Sequence, residues 1–208
     1  MTVNADLHRA EPAISPAERR TPARLGAVLF RNRGWLPVPF VLVPLLAPGH
    51  STAAQWVVGA LVIALGEALR LAGVAAAGTV TRRRSRDVQR LVTYGVFAWT
   101  RNPLYMGNLL IWTGFVIVSG VFWFLPAAIA LFAVEYSLIV RYEEGVLESI
   151  FGAEYLAYKR STPRWIPRAP RAAVGGAHDW TEAWSSEFST FVQYAVLAVA
   201  FVVKGNVR

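Results

Sequence analysis

Four long apolar runs, separated by basic or proline-containing segments, limit what this chain can fold into more than any other feature. They cover residues 34–47, 53–78, 104–140 and 188–203. A helix that crosses a bilayer needs about 20 mostly apolar residues, so the third run is long enough for two crossings. Only 16% of the residues are charged, whereas about 25% is usual in soluble domains. We therefore predict an all-α, polytopic membrane bundle of about five transmembrane helices.

Residues inside these runs refine the prediction. Ser119 and Gly120 lie near the middle of the third run and predict a tight helical hairpin there. Glu67 and Arg70 are three residues apart in the second run, so they share one helix face and can pair. They either lie near the cytosolic end of the span and snorkel to its surface, or line a site inside the bundle. The proline-rich first run is a kinked span or begins within residues 28–30, and the last run crosses the membrane or lies along its interface.

The basic residues predict an orientation. Segments 1–33, 81–101 and 141–171 each carry six Lys or Arg residues, whereas the loops near residues 48–52 and 119–121 carry none. Positive residues concentrate on the cytosolic side of membrane proteins. We expect a multi-pass protein of the cell inner (cytoplasmic) membrane with a cytosolic amino terminus. The net charge of +8 is then explained by topology and by anionic lipid headgroups, and no nucleic-acid partner is required.

Metal and thiol chemistry is not indicated. The chain has no cysteine and three histidines, which excludes disulfides, thiolate metal sites and a cysteine nucleophile. The histidines, His8, His50 and His178, are far apart and match no metal-ligand spacing.

The first polar stretch with chemical potential is 91–107, which leads into the third span. Pro103 suits the first turn of a helix, and Asn102 is suited to cap it. The free N–H groups of such a helix start favour a carboxylate or a phosphate. Gly95 and Gly107 permit close backbone approach. Asn102 can also be a helix cap and nothing more.

The second polar stretch, 141–167, leaves the fourth span as a helix. It is expected to turn at Phe151 and Gly152, form a second short helix and end in a proline-containing segment. Glu143 and Glu144 come where the first helix leaves the bilayer. Carboxylates in that position can bind a ribose hydroxyl or an amino group, or can be merely solvated.

Together the two stretches resemble the isoprenylcysteine carboxyl methyltransferase and phospholipid methyltransferase family of integral membrane enzymes. The family pattern is roughly Arg-His-Pro-x-Tyr-x-Gly, Glu-Glu-x-x-Leu, Phe-Gly-x-x-Tyr-x-x-Tyr and Pro-Arg-x-Ile-Pro, and this chain follows it in order and spacing over residues 91–167. The matching residues are Arg101, Pro103, Tyr105, Gly107, Glu143, Glu144, Leu147, Phe151, Gly152, Tyr155, Tyr158, Pro163, Arg164, Ile166 and Pro167.

The resemblance implies an S-adenosylmethionine-dependent enzyme with a cytosolic helical segment that binds the cofactor, and a lipid-like substrate that enters from the bilayer. By carry-over from the family, seven residues are expected to bind the cofactor: Arg101, Asn102, Tyr105, Gly107, Glu143, Glu144 and Tyr158. Arg141, Glu144 and Arg164 are expected at the reaction centre, where the arginines position a substrate carboxylate or phosphate. The chain departs from the pattern at Asn102, where His is common, and at Val96 and Phe97, where Pro and Tyr are usual.

These observations predict three regions. Residues 1–33 form a cytosolic basic tail with a short interfacial helix, residues 34–167 form the membrane methyltransferase-like domain, and residues 168–208 form a linker and an extra transmembrane helix. The predicted function is O- or N-methyl transfer to a hydrophobic or lipid-like small molecule in the bilayer. An inactive methyltransferase-like subunit of a membrane protein complex is the alternative. A channel or transporter is disfavoured, because the sequence shows no inverted repeat.

Overall fold

The computed structural model describes residues 21–78, 90–170 and 175–207, and every regular element within these ranges is helical. The basic tail 1–20 and the arginine cluster 82–86 lie outside the described residues. A short 3-10 helix, Gly95–Ala98, precedes the fourth α-helix. The six α-helices of the described ranges are α1 (Thr21–Arg31), α2 (Pro37–Leu46), α3 (Ala53–Ala77), α4 (Pro103–Ser119), α5 (Phe124–Ser161) and α6 (Trp180–Val207).

The helix lengths confirm a multi-pass membrane helix bundle. Helices α3, α5 and α6 are long and apolar enough to cross a membrane, whereas α2 and α4 are apolar but shorter. At 1.5 Å per residue, the 17 residues of α4 extend about 26 Å, close to the roughly 30 Å of a bilayer core.

The first predicted span, which covered residues 34–47 or began within residues 28–30, is longer than the helix in the structure. Helix α2 has only 10 residues and measures about 15 Å. A turn at residues 32–36 separates it from α1, so the two do not form one kinked span. At its other end Ala47 is extended, with φ −70° and ψ 147°. A residue before proline avoids the helical conformation, so Pro48 limits α2 at this end.

Two glycines shape the second half of the bundle as predicted. Gly120 ends α4 in the left-handed conformation, with φ 70° and ψ 9°, and α5 begins four residues later. Within α5, Gly152 is non-helical, with φ 50° and ψ −119°. Glycine adopts positive φ without a steric penalty. The α4–α5 hairpin and the break after Phe151 therefore lie where the sequence indicated.

Helices α3 and α4 form the closest pair in the bundle, because glycines face each other across it. A Cβ added to Gly66 would lie 2.6 Å from the carbonyl oxygen of Gly107. One added to Gly59 would lie 2.8 Å from that of Gly114. Without side chains at these points the backbones touch, as in small-residue packing between membrane helices. The contact brings the next polar residues of the two helices, Arg70 and Asn108, together.

Helix α6 runs antiparallel to α3 and crosses the bundle from end to end. Before its first turn, the backbone N–H of Asp179 donates to the carbonyl of Ala75 at 2.8 Å, near the end of α3. In its last turn Lys204 Nζ donates to the carbonyl of Pro44 at 2.5 Å, near the end of α2. That carbonyl lacks a helical partner because Pro48, four residues on, has no N–H. The last apolar run thus extends along the length of the bundle beside α3, in a helix that is long and apolar enough to cross a membrane.

Candidate functional site

The two polar stretches come together at the end of the bundle where α4 begins. The backbone N–H of Arg101 donates to Pro163 O at 2.9 Å, and that of Arg168 donates to Trp99 O at 3.0 Å. The Tyr158 hydroxyl donates to the Phe97 carbonyl at 2.7 Å. The 3-10 helix is thereby held against the last part of α5 and the segment that follows it.

Asn102 does not act as the predicted side-chain cap. It occupies the cap position before Pro103, but its side chain makes no capping hydrogen bond. Its Nδ2 donates instead to the carbonyl of Arg164 at 2.9 Å. The acceptor is 62 residues away in sequence, so no local pattern indicates it. The first N–H groups of α4 consequently donate no hydrogen bond to the Asn102 side chain.

Glu144 is the most strongly held carboxylate of the site. Its side chain is buried, and Arg164 binds it with two hydrogen bonds, Nε to Oε1 at 2.9 Å and Nη2 to Oε2 at 2.5 Å. Arg101 Nη1 lies 3.3 Å from Oε1. The hydrogen bonds to Glu144 raise the pKa of the Arg164 guanidinium above its ordinary value, so this guanidinium stays charged throughout the neutral range.

Glu143 faces a different set of partners. The Tyr105 hydroxyl donates to its Oε2 at 2.8 Å, and Arg33 lies 4.0 Å from its Oε1. The Tyr105 ring also packs against Tyr136, with centroids 4.7 Å apart. Arg33, in the turn after α1, was not predicted as a site residue, because an arginine in a basic tail carries no signal that distinguishes it from its neighbours.

A cavity of about 1040 Å³ joins these groups. Six of the predicted site residues line it, and three do not. Gly107 packs against α3, and Arg164 is hydrogen-bonded to Glu144 without lining the cavity itself. Arg141 is exposed and also absent from the lining. The six that line it are Arg101, Asn102, Tyr105, Glu143, Glu144 and Tyr158.

A second polar cluster lies deeper in the bundle, between α3, α4 and α6. Arg70 Nη1 donates to Asn108 Oδ1 at 2.5 Å, and Nη2 donates to Glu187 Oε1 at 2.8 Å. Its Nε lies 3.5 Å from Glu67, which confirms the predicted pair. Glu67 also accepts a 2.8 Å hydrogen bond from Tyr194. Because Arg70 and Tyr194 line the cavity, the cluster belongs to the interior and does not snorkel to the surface.

Glu187 is the residue of this cluster that sequence reasoning missed. It is fully buried and directly precedes the last apolar run. A carboxylate at the start of a membrane span requires a partner. Arg70 was the available intramembrane cation, so the pairing could have been proposed from the sequence.

Comparison with known proteins places this geometry in a family. A family model described as phospholipid methyltransferase matches residues 54–154. Protein-S-isoprenylcysteine O-methyltransferase of Homo sapiens is 36% identical over 123 residues, which are 53% of this chain and 40% of that protein. The cobalt-zinc-cadmium resistance protein CzcN of Cupriavidus metallidurans is 33% identical over 150 residues, which are 72% of this chain and 68% of that protein.

The matched region contains the α3–α4 contact and both carboxylates of the site. The chain spans about 40% of the length of the animal isoprenylcysteine O-methyltransferases that it matches. No solved structure matches it. The ordered motifs, the membrane helices and these relatives agree, and the chain belongs to the isoprenylcysteine carboxyl methyltransferase and phospholipid methyltransferase family of integral membrane proteins.

Proposed function

We propose that the protein is an integral membrane methyltransferase that uses S-adenosylmethionine and methylates a hydrophobic or lipid-like small molecule. The observation that carries this proposal is the cavity at the start of α4, where charged groups of both signs and apolar membrane residues line one space of about 1040 Å³. Ligand pockets in proteins usually measure about 300–1,000 Å³. A cavity at the upper end of that range has room for a cofactor and part of an acceptor.

Arg101 supports the cofactor assignment most directly. Its side chain is only 10% exposed, and its Nε has no hydrogen-bond partner among the described residues. A buried guanidinium N–H without an acceptor is unfavourable. The carboxylate of the amino-acid portion of S-adenosylmethionine is the type of group that Arg101 would bind. The uncapped N–H groups at the start of α4 add positive potential at the same place.

Glu143 and Tyr105 are suited to the positively charged groups of the cofactor, in contrast to Arg101, which is suited to its carboxylate. When bound, the cofactor supplies a methyl group on a positively charged sulfur and carries an amino group and ribose hydroxyls. Glu143, with its 2.8 Å hydrogen bond from Tyr105, offers a fixed carboxylate for such donors. Methyl transfer chiefly requires that the reacting atoms be aligned and water be excluded. We assign these positioning roles to Glu143 and Tyr105, and assign to Glu144 the role of holding Arg101 in place.

We also propose that the site faces the cytosol of a cell whose inner membrane holds the protein. Arg33, Arg90, Arg101 and Arg164 gather at this end of the bundle, whereas Lys204 lies at the opposite end. The loop around Gly49 and the α4–α5 turn at Gly120 approach each other at the opposite end. The positive-inside rule supports this orientation.

Calorimetric titration of the purified protein with S-adenosylmethionine tests the assignment. We expect saturable binding that Arg101→Ala weakens at least tenfold. Arg160→Ala, which removes an exposed arginine of α5, is the matched control and should bind like the parent protein. Absence of binding at millimolar cofactor would refute the enzyme assignment. In that case, a stoichiometric membrane partner that co-purifies with the protein would favour the structural-subunit alternative.

A further inference from the structure

Two tyrosines that line the cavity differ in how their hydroxyl groups are used. Tyr105 of α4 and Tyr136 of α5 pack against each other with ring centroids 4.7 Å apart, and both line the space. The Tyr105 hydroxyl donates to Glu143. Tyr136 comes seven residues before Glu143, about 10 Å along the helix axis and within the apolar part of α5. The proposed cofactor site makes no use of its hydroxyl.

Packing holds the Tyr136 side chain in place. The residue is only 4% exposed. Its ring stacks on that of Phe132, with centroids 4.0 Å apart and planes 21° from parallel. The two residues are four apart and so share one face of α5, and Tyr105 contacts the same ring. A buried ring with two aromatic neighbours keeps its hydroxyl at a fixed position beside the cavity.

The direction of the Tyr136 O–H bond follows from Asn108. Arg70 Nη1 donates to Asn108 Oδ1 at 2.5 Å. A guanidinium can only donate, so the oxygen of this amide must face Arg70 and its NH2 group must face the other way. Asn108 Nδ2 lies 3.5 Å from the Tyr136 hydroxyl oxygen and therefore approaches it as a donor. The hydroxyl hydrogen is consequently directed away from Asn108.

This hydrogen meets no acceptor among the residues that the structure describes. The nearby cavity walls formed by Ile111 and Trp112 of α4 are apolar or can only donate. A buried hydroxyl without an acceptor in apolar surroundings is unfavourable. Because Tyr136 lines the cavity, a molecule bound there can supply the acceptor that the protein does not.

We propose that Tyr136 determines specificity for the methyl acceptor by donating a hydrogen bond to an oxygen of its polar head. Oxygen lone pairs accept such a bond, whereas hydrocarbon does not. The fitting class is an amphiphile with an accepting oxygen in its head group, whose hydrocarbon lies against Ile111 and Trp112. This inference rests on the proposed function, because it concerns the second substrate of that activity.

Binding without the methyl donor tests the inference separately from cofactor binding. The probe is tritiated 2-tridecanone, whose ketone oxygen accepts a hydrogen bond and which has no donor. It is bound to the full chain in detergent and measured by scintillation proximity. The competitor 2-methyltridec-1-ene has the same shape, with a methylene group in place of the oxygen. We expect saturable binding, and displacement by unlabelled ketone at a mole fraction in the micelle at least fivefold lower than by the alkene.

Two tyrosine variants complete the test. Tyr136→Phe removes the hydroxyl and keeps the stacked ring, so it should reduce the preference for ketone over alkene at least fivefold and leave S-adenosylmethionine binding unchanged. Tyr194→Phe is the matched control, because it makes the same change at a cavity tyrosine whose hydroxyl already donates to Glu67 at 2.8 Å. The preference should persist in this control. Both ligands partition into the micelle equally in every variant, so a change in their ratio reports the hydrogen bond.

Three results would each overturn the inference: no saturable probe binding, no preference for the ketone in the parent protein, or a preference that Tyr136→Phe retains. Failure of the parent protein to bind S-adenosylmethionine would instead contradict the proposed function, and the ketone preference can be measured in either case.

Discussion

The glycine contact between α3 and α4 should be sensitive to a single methyl group. Gly66→Ala places a Cβ 2.6 Å from the carbonyl oxygen of Gly107, whereas ordinary van der Waals contact begins at 3.4 Å. The obstacle is backbone, so no side-chain rotation can relieve it. The two helices must separate by about 0.8 Å at this point, which is the difference between these two distances.

A separation of that size has a predictable effect on stability. A gap of about 0.5–1 Å removes a quarter to a half of the dispersion energy between facing atoms, and overpacking of a dense interior costs about 1–3 kcal/mol. Alanine regains up to about 1 kcal/mol through its better helix propensity. We expect a net loss of about 1–2 kcal/mol. The 2.5 Å hydrogen bond between Arg70 and Asn108, adjacent to the contact, should lengthen as well.

The measurement is unfolding by sodium dodecyl sulfate in mixed micelles, followed by circular dichroism. Gly205→Ala is the matched control, since Gly205 also lies in a helix but a Cβ there would meet nothing within 4 Å. The control should be as stable as the parent or slightly more so. If Gly66→Ala unfolds within about 0.5 kcal/mol of Gly205→Ala, a change no larger than that of an ordinary surface substitution, the close contact of the two helices is not what holds this part of the bundle together.

Three further substitutions can be assessed with the same unfolding assay. Glu144→Ala leaves Arg101 buried without its carboxylate and should destabilise the protein by about 3–5 kcal/mol, as is typical of a broken buried ion pair. Arg164→Ala should cost clearly less, about 1 kcal/mol, because this arginine is 36% exposed and water can replace it; equal losses would contradict that ranking. Lys204→Met should cost about 1–3 kcal/mol by leaving the carbonyl of Pro44 without a donor, and an unchanged midpoint would show that this tie between α6 and α2 is not needed.

Local sequence patterns predicted the features that depend on neighbouring residues. Gly120 ends α4 and Gly152 breaks α5, because each position needs a positive φ that glycine adopts readily. Glu67 and Arg70 pair because their spacing places them on one helix face. Each of these inferences required only the geometry of a single helix or turn.

Features that depend on distant residues were not accessible in the same way. Asn102 was predicted as a cap, but its amide donates to the Arg164 carbonyl instead, and Arg141, predicted at the reaction centre, is exposed and does not line the cavity. The length of α2 depends on how the chain turns after α1. In all three cases, the outcome is decided by where another helix packs, which apolar runs and motif spacing do not encode.

Helix α6 shows why the family-matched region alone does not account for the charges inside this bundle. Arg70 lies within that region, and an arginine at membrane depth requires an acidic partner. Glu67 approaches its Nε only to 3.5 Å, whereas Glu187 of α6 accepts a 2.8 Å hydrogen bond. Helix α6 also supplies Gln193 to the cavity wall. The same helix therefore completes the electrostatic pairing of Arg70 in the core and also lines the cavity.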